Sequence, residues 1–294
     1  MAGIGAAGTY WRHLRLPFQL TLAPLFLWGA FLARTTPDAP LAAAFISLHL
    51  FLYPGITAFN SAYDRDTGPV SGMARPPEVP GGLLSFSIWI QVAGAVPAGL
   101  VGPAFLAIYL SIALLAAAYS HPATRWKALP WVSAATVALG QGLLGFLAGW
   151  CAASGLPPDW HDGRVLLGGA ASVLTTLGRY PSTQVFQLEE DASRGDHTLA
   201  RALGPVRALR FGSICLAAAG VAATWIIARE CGPADAMLIA AAYGGIVLHN
   251  EMFAGALARN GLTDLEIYRR AMRTAYVSTG GFLAFLLVQA IRVW

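Results

Sequence analysis

The chain has 294 residues, 56% of them hydrophobic and 12% charged, with a mean hydropathy of +0.57. A soluble domain carries about 25% charged residues, so a soluble enzyme is excluded and most of the chain belongs in lipid. The net charge of +4 and three widely separated cysteines, Cys151, Cys215 and Cys231, point to no nucleic-acid partner and form no metal or redox motif.

In chain order, the apolar stretches predict nine membrane spans, at residues 17–33, 41–59, 83–101, 104–120, 130–152, 165–186, 211–228, 235–257 and 274–291. Each is near the roughly 17–25 residues that a helix needs to cross the hydrocarbon core. The first and fourth are short, and the sixth contains Arg179 and Pro181. Strand-type alternation is absent, so a β-barrel is not expected. The first span leads directly into a second and does not resemble a cleaved signal. No linker divides the chain, which reads as one integral domain over 1–294. Trp11, Trp126, Trp131, Trp160 and Trp294 fall near span ends, as interface anchors do.

With the N-terminus inside, 15 of the 19 basic residues lie on the cytoplasmic side, a strong positive-inside bias. It places the C-terminus outside and suggests a bacterial inner membrane. It also explains the positive net charge by topology.

Two acidic segments fall on that cytoplasmic side. Asn60, Asp64 and Asp66 follow the second span; Gln187, Glu189, Glu190, Asp191 and Asp196 follow the sixth. Asn60 and Asp64 are four residues apart, as are Gln187 and Asp191, so each pair is expected on one helix face. Paired oxygen-ligand clusters at one membrane surface suit a divalent cation and a diphosphate. The turns after spans four and eight are basic, with Arg125 and Lys127 in one and Arg269, Arg270 and Arg273 in the other. The chain thus reads as two similar four-helix halves plus a final helix, an all-α fold that sets two acid clusters face to face.

Each feature has a plainer explanation. Acids outside the bilayer are ordinary solvated charge, and Arg125 and Lys127 are ordinary positive-inside anchors. Six of the fifteen acids nevertheless concentrate in the two segments, at matching places. Asn250 and Glu251, beside His249 inside span eight, either pack helices or line a substrate pocket.

These residues resemble the UbiA superfamily of intramembrane prenyltransferases. Its first motif reads Asn-x-x-x-Asp-x-x-x-Asp, matched by Asn60 and Asp64. Its second reads Asp-x-x-x-Asp, often continued as x-x-x-Gly-x-x-Thr, matched by Asp191, Gly195 and Thr198. Arg75-Pro76 is similar to the step after the first motif, and Tyr119-Ser120 with Arg125 and Lys127 resembles the turn after helix four. Gly68 replaces the last aspartate of the first motif. Asp66 can serve instead only if Gly68-Pro69 breaks the helix nearby, because residues two apart on a helix point about 200° apart. Gln187 replaces the first aspartate of the second motif, keeping a carbonyl oxygen but no charge. Glu190 and Asp196 are candidates to compensate.

The resemblance implies Mg²⁺-dependent transfer of a polyprenyl group from its diphosphate to a membrane-accessible, lipophilic acceptor, expected to be aromatic. Asn60, Asp64, Asp66, Gln187 and Asp191 are the implied metal ligands. Asp64, Asp191, Arg125 and Lys127 are the implied catalytic set. Arg75, Tyr119, Glu190, Arg194, Asp196 and Asn250 join Arg125 and Lys127 as substrate-binding candidates. A cyclase of the same superfamily and a secondary transporter are the alternatives.

Overall fold

Proline and left-handed residues decide where the apolar runs stop being helix. The computed structural model describes residues 6–35, 38–259 and 262–293. Among the described residues nine helices cross the fold: α1 Gly8–Leu32, α2 Ala39–Asp64, α3 Leu83–Val101, α4 Pro103–Ser120, α5 Pro130–Ser154, α6 Gly163–Arg179, α7 Pro205–Glu230, α8 Pro233–Ala258 and α9 Asp264–Arg292. All but α6 are long and apolar enough to span a membrane. α6 has 17 residues and continues as a 3-10 turn over Tyr180–Thr183. Pro181 has no N–H to extend the α-ladder, so the predicted span end at 186 overshoots. Among the described residues no strand forms, as the all-α reading expects. Both chain ends, placed above on opposite sides, lie outside the described residues.

α1 begins nine residues before the predicted span and is interrupted at Arg15, which adopts φ 50°. α2 stops at Asp64 because Arg65 turns left-handed at φ 51°. α4 stops at Ser120, where His121 is extended because Pro122 disfavours helix in the residue before it. Gly102, at φ 143°, is the single residue between α3 and α4, a conformation open mainly to glycine.

α1 and α5, the first helices of the two halves, cross at backbone contact. A Cβ on Gly29 would overlap the Phe146 carbonyl, and one on Gly149 the Phe26 carbonyl. α2, α3 and α4 pack in succession on one side, α6, α7 and α8 on the other, and α9 returns onto α1. Large apolar side chains point outward, among them Leu100 at 82% and Ile291 at 74% exposure. Charged side chains are buried inside, the reverse of a soluble protein and the arrangement lipid requires. Trp11, Trp131 and Trp160 are exposed near helix ends, as their sequence positions suggest, whereas Trp126 is half-buried and Trp294 lies outside the described residues.

Candidate active site

The end of α2 brings Asn60 and Asp64 onto the wall of a cavity of about 320 Å³. Asn60 Nδ2 donates to Ser120 Oγ at 3.2 Å, tying α2 to α4. Asp64 Oδ1 pairs with Lys127 and lies 3.6 Å from Arg125 Nη2. The left-handed Arg65 then takes Asp66 off the helix. Asp66 also lines the cavity and accepts from Arg194 Nη1 at 2.7 Å. The helix break that Asp66 requires is therefore present, at Arg65 and not at Gly68-Pro69.

Across the cavity, Gln187 and Asp191 both reach the wall, one helical turn apart. Gln187 precedes the short helix Leu188–Ser193, and its carbonyl accepts the Asp191 amide at 2.8 Å. Asp191 Oδ1 accepts from Arg194 Nη2 at 3.1 Å, so one arginine joins the two acid segments. Asp196 holds Arg125 through two bonds, at 2.7 and 2.8 Å. That fork turns Arg125 off the cavity wall, whereas Lys127 remains on it. Glu190 is also off the wall. Its Oε1 accepts from the Thr67 amide (2.8 Å), the Thr67 hydroxyl (2.9 Å) and the Gly68 amide (2.8 Å), clasping the two acid loops together. Gly68, at the replaced motif position, is thus part of that clasp.

Burial and the neighbouring Asp64 push the Asp66 carboxyl up to about 6, against the pull of Arg194. Burial likewise raises Asp191, opposed by Arg194. For Glu190 burial acts upward too, but the Gly68 and Thr67 bonds outweigh it and the pKa falls. Burial opposes the charge on Arg194, yet Asp66, Asp64 and Asp191 more than offset it and raise its pKa.

Among the described residues no three His, Cys, Asp or Glu side chains stand close enough to hold a metal ion by themselves. The glutamine at 187 and the glycine at 68 remove two carboxylates, and those left are divided between two loops. The donors nevertheless suit Mg²⁺, which usually takes one or two carboxylates and completes its shell with water and substrate phosphate. Lys127 takes Oδ1 of Asp64 and Arg194 takes Oδ1 of Asp66, and no hydrogen bond to either Oδ2 is found among the described residues.

Other candidates lie elsewhere. Arg75 is exposed and off the cavity; its carbonyl accepts from Arg12 Nη2 at 3.1 Å. Arg15, just ahead of the first predicted span, is buried on the cavity wall and reaches Ser61 Oγ at 2.7 Å and the Ser71 carbonyl at 3.1 Å. Tyr119 lines the cavity with its hydroxyl 3.0 Å from that of Tyr180. Asn250 lines it as well, but its amide donates to the Leu209 carbonyl (2.7 Å) and Ser213 Oγ (3.0 Å), a bond between α8 and α7. Glu251 is off this wall and lies 3.7 Å from Arg210. Arg269, Arg270 and Arg273 are exposed on α9 and off the cavity wall, so among the described residues the basic turn that reaches the acid clusters is the one after α4.

Residues 22–258 match the family model described as the UbiA prenyltransferase family. A protoheme IX farnesyltransferase of Aeropyrum pernix is 27% identical over 146 residues, 48% of each chain, so the match spans about half that relative's length. Among solved structures, a UbiA homologue from Archaeoglobus fulgidus bound to GPP and Mg2+ superimposes with a TM-score of 0.67 at 19% identity, over 95% of this chain and 99% of that one. An apo UbiA homologue from Aeropyrum pernix K1 gives 0.64 at 22% identity, over 92% and 98%. These likenesses show a shared fold.

Proposed function

The chain belongs to the UbiA prenyltransferase family, and on that premise we propose that it transfers a prenyl group from a prenyl diphosphate to a lipophilic acceptor within the membrane, with Mg²⁺. The observation that carries this reading is a single cavity with two unlike ends. Asp64, Asp66, Asp191, Arg15, Lys127 and Arg194 gather at one end, and apolar walls such as Leu22, Leu25, Ile112 and Leu115 continue from it. An allylic diphosphate has the same two-part character. The GPP and Mg2+ in the Archaeoglobus fulgidus homologue fit it. We place the charged end at the cytoplasmic face, from the distribution of basic residues.

Mg²⁺, when bound, neutralises diphosphate oxygens and so eases departure of the leaving group. Asp64, Asp66 and Asp191, with the carbonyl oxygens of Asn60 and Gln187, are the residues that would hold it. Lys127, Arg15 and Arg194 supply fixed positive charge on the same wall, where it stabilises negative charge as it develops. Arg125 acts from behind Asp196 by keeping that carboxylate in place. The apolar wall accommodates the prenyl chain and keeps water from the reacting carbon.

The test is product analysis. Purified protein in lipid nanodiscs receives geranyl, farnesyl or geranylgeranyl diphosphate with Mg²⁺ and a membrane lipid extract, and products are identified by mass spectrometry. A prenylated acceptor supports the proposal. A cyclised hydrocarbon with no acceptor would move the chain to the cyclase reading, and the absence of both would remove prenyl transfer.

A further inference from the structure

Four cations and four carboxylates at the charged end balance one another: Arg15, Arg125, Lys127 and Arg194 against Asp64, Asp66, Asp191 and Asp196. Arg179 stands outside that balance. It is the last residue of α6, partly buried, and it lines the same cavity. Among the described residues its guanidinium makes neither an ion pair nor a hydrogen bond, and its ionisable neighbour is Tyr243, not one of the four carboxylates. The backbone around it is fixed. Gly178 packs directly on α7, where a Cβ would lie 2.9 Å from the Gly212 carbonyl oxygen, and Ser182 Oγ donates to the Arg179 carbonyl at 2.7 Å. One turn back, the Thr175 hydroxyl lies 2.7 Å from that of Tyr243. Phe253, Leu216 and Ile246 contribute apolar surface to the cavity.

An arginine that serves only as a membrane anchor extends towards headgroups. This one lies on a cavity wall and carries five N–H donors and no acceptor. Ionisable side chains within the membrane cost several kcal/mol unless paired, and commonly mark a substrate path. We infer that Arg179 forms a second anion site in the cavity, separate from the diphosphate end, which receives a carboxylate or phosphate group on the acceptor. The planar fork suits two oxygens of one group. The apolar side chains of the same cavity suit a flat or lipophilic body attached to that group. That a second substrate enters at all rests on the prenyl-transfer reading above.

The experiment compares three probes of one shape by calorimetry on the full chain in detergent: 2-naphthoate, 2-naphthyl phosphate and neutral 2-naphthamide. Wild type should bind at least one anion about 30-fold more tightly than the amide, the scale expected when a desolvated charge gains its partner. Arg179→Gln should abolish that preference, and Arg179→Lys should restore part of it, which separates a charge effect from misfolding. Binding of geranyl S-thiolodiphosphate with Mg²⁺ should change less than about twofold in both variants, since the diphosphate end is intact. Preference for the carboxylate or for the phosphate distinguishes an acidic acceptor from a phosphorylated one, and either supports the site. Equal binding of all three probes by wild type overturns it, as does a preference that survives in Arg179→Gln. A parallel loss of thiolodiphosphate binding in both variants would also overturn it, by merging Arg179 with the diphosphate end. If wild type binds no thiolodiphosphate, the prenyl reading fails, while the anion preference still decides the fate of this site.

Discussion

Glu190→Ala removes the acceptor that joins the two acid loops. Its Oε1 takes three hydrogen bonds, from the Thr67 amide and hydroxyl and the Gly68 amide, at 2.8–2.9 Å. Each is worth roughly 0.5–1.5 kcal/mol net, and more to a charged acceptor. They share one oxygen and are partly solvated, so the loss is on the order of 2 kcal/mol, or about 30-fold in local opening. Hydrogen exchange of a peptide spanning residues 65–70, measured in detergent, should accelerate by about that factor. Glu190→Gln, which keeps an acceptor but no charge, should show a smaller change. Asp66 lies beside the clasp, so Mg²⁺ should also be needed at higher concentration in Glu190→Ala. Unchanged exchange at 67 and 68 in Glu190→Ala would refute the clasp and the positioning of Asp66 that follows from it.

Gly149→Ala should destabilise the fold by about 1–3 kcal/mol or more, because its Cβ would meet the Phe26 backbone. Gly244→Ala on α8, where a Cβ meets nothing within 4 Å, should leave thermal unfolding in detergent unchanged or slightly improved. Arg15→Ala should weaken prenyl diphosphate binding about tenfold or more through loss of charge on the cavity wall. Arg75→Ala should alter it less than about twofold, as expected for an exposed residue away from the site; direct binding titrations compare the two.

The spans and the end of α2 were legible because hydropathy marks a helix and a four-residue spacing marks its face. Asn60 and Asp64 therefore appear on one wall, as read. Gln187 and Asp191 share the same spacing at the start of a helix of six residues, with Gln187 as its N-cap and its carbonyl accepting the Asp191 amide, and they too appear on the wall. Arg75 is a candidate by its motif and lies off the cavity, whereas Arg15 belongs to no motif and lines it. Both are basic residues near the expected polar face, and only the left-handed turn that buries Arg15 against Ser61 and Ser71 separates them. The partnering of Glu190 with Gly68 had no sequence signal beyond the replaced motif residue, since it depends on two loops more than 120 positions apart meeting in space.

Diphosphate release is the most direct measure of the central claim that the two acid loops act together on a prenyl diphosphate. Purified protein would be given farnesyl diphosphate with membrane extract, with and without Mg²⁺, alongside folded Asp64→Ala and Asp191→Ala variants. The account predicts release that requires Mg²⁺ and is lost in both variants. Release that continues in either variant, or that proceeds unchanged in EDTA, would contradict it.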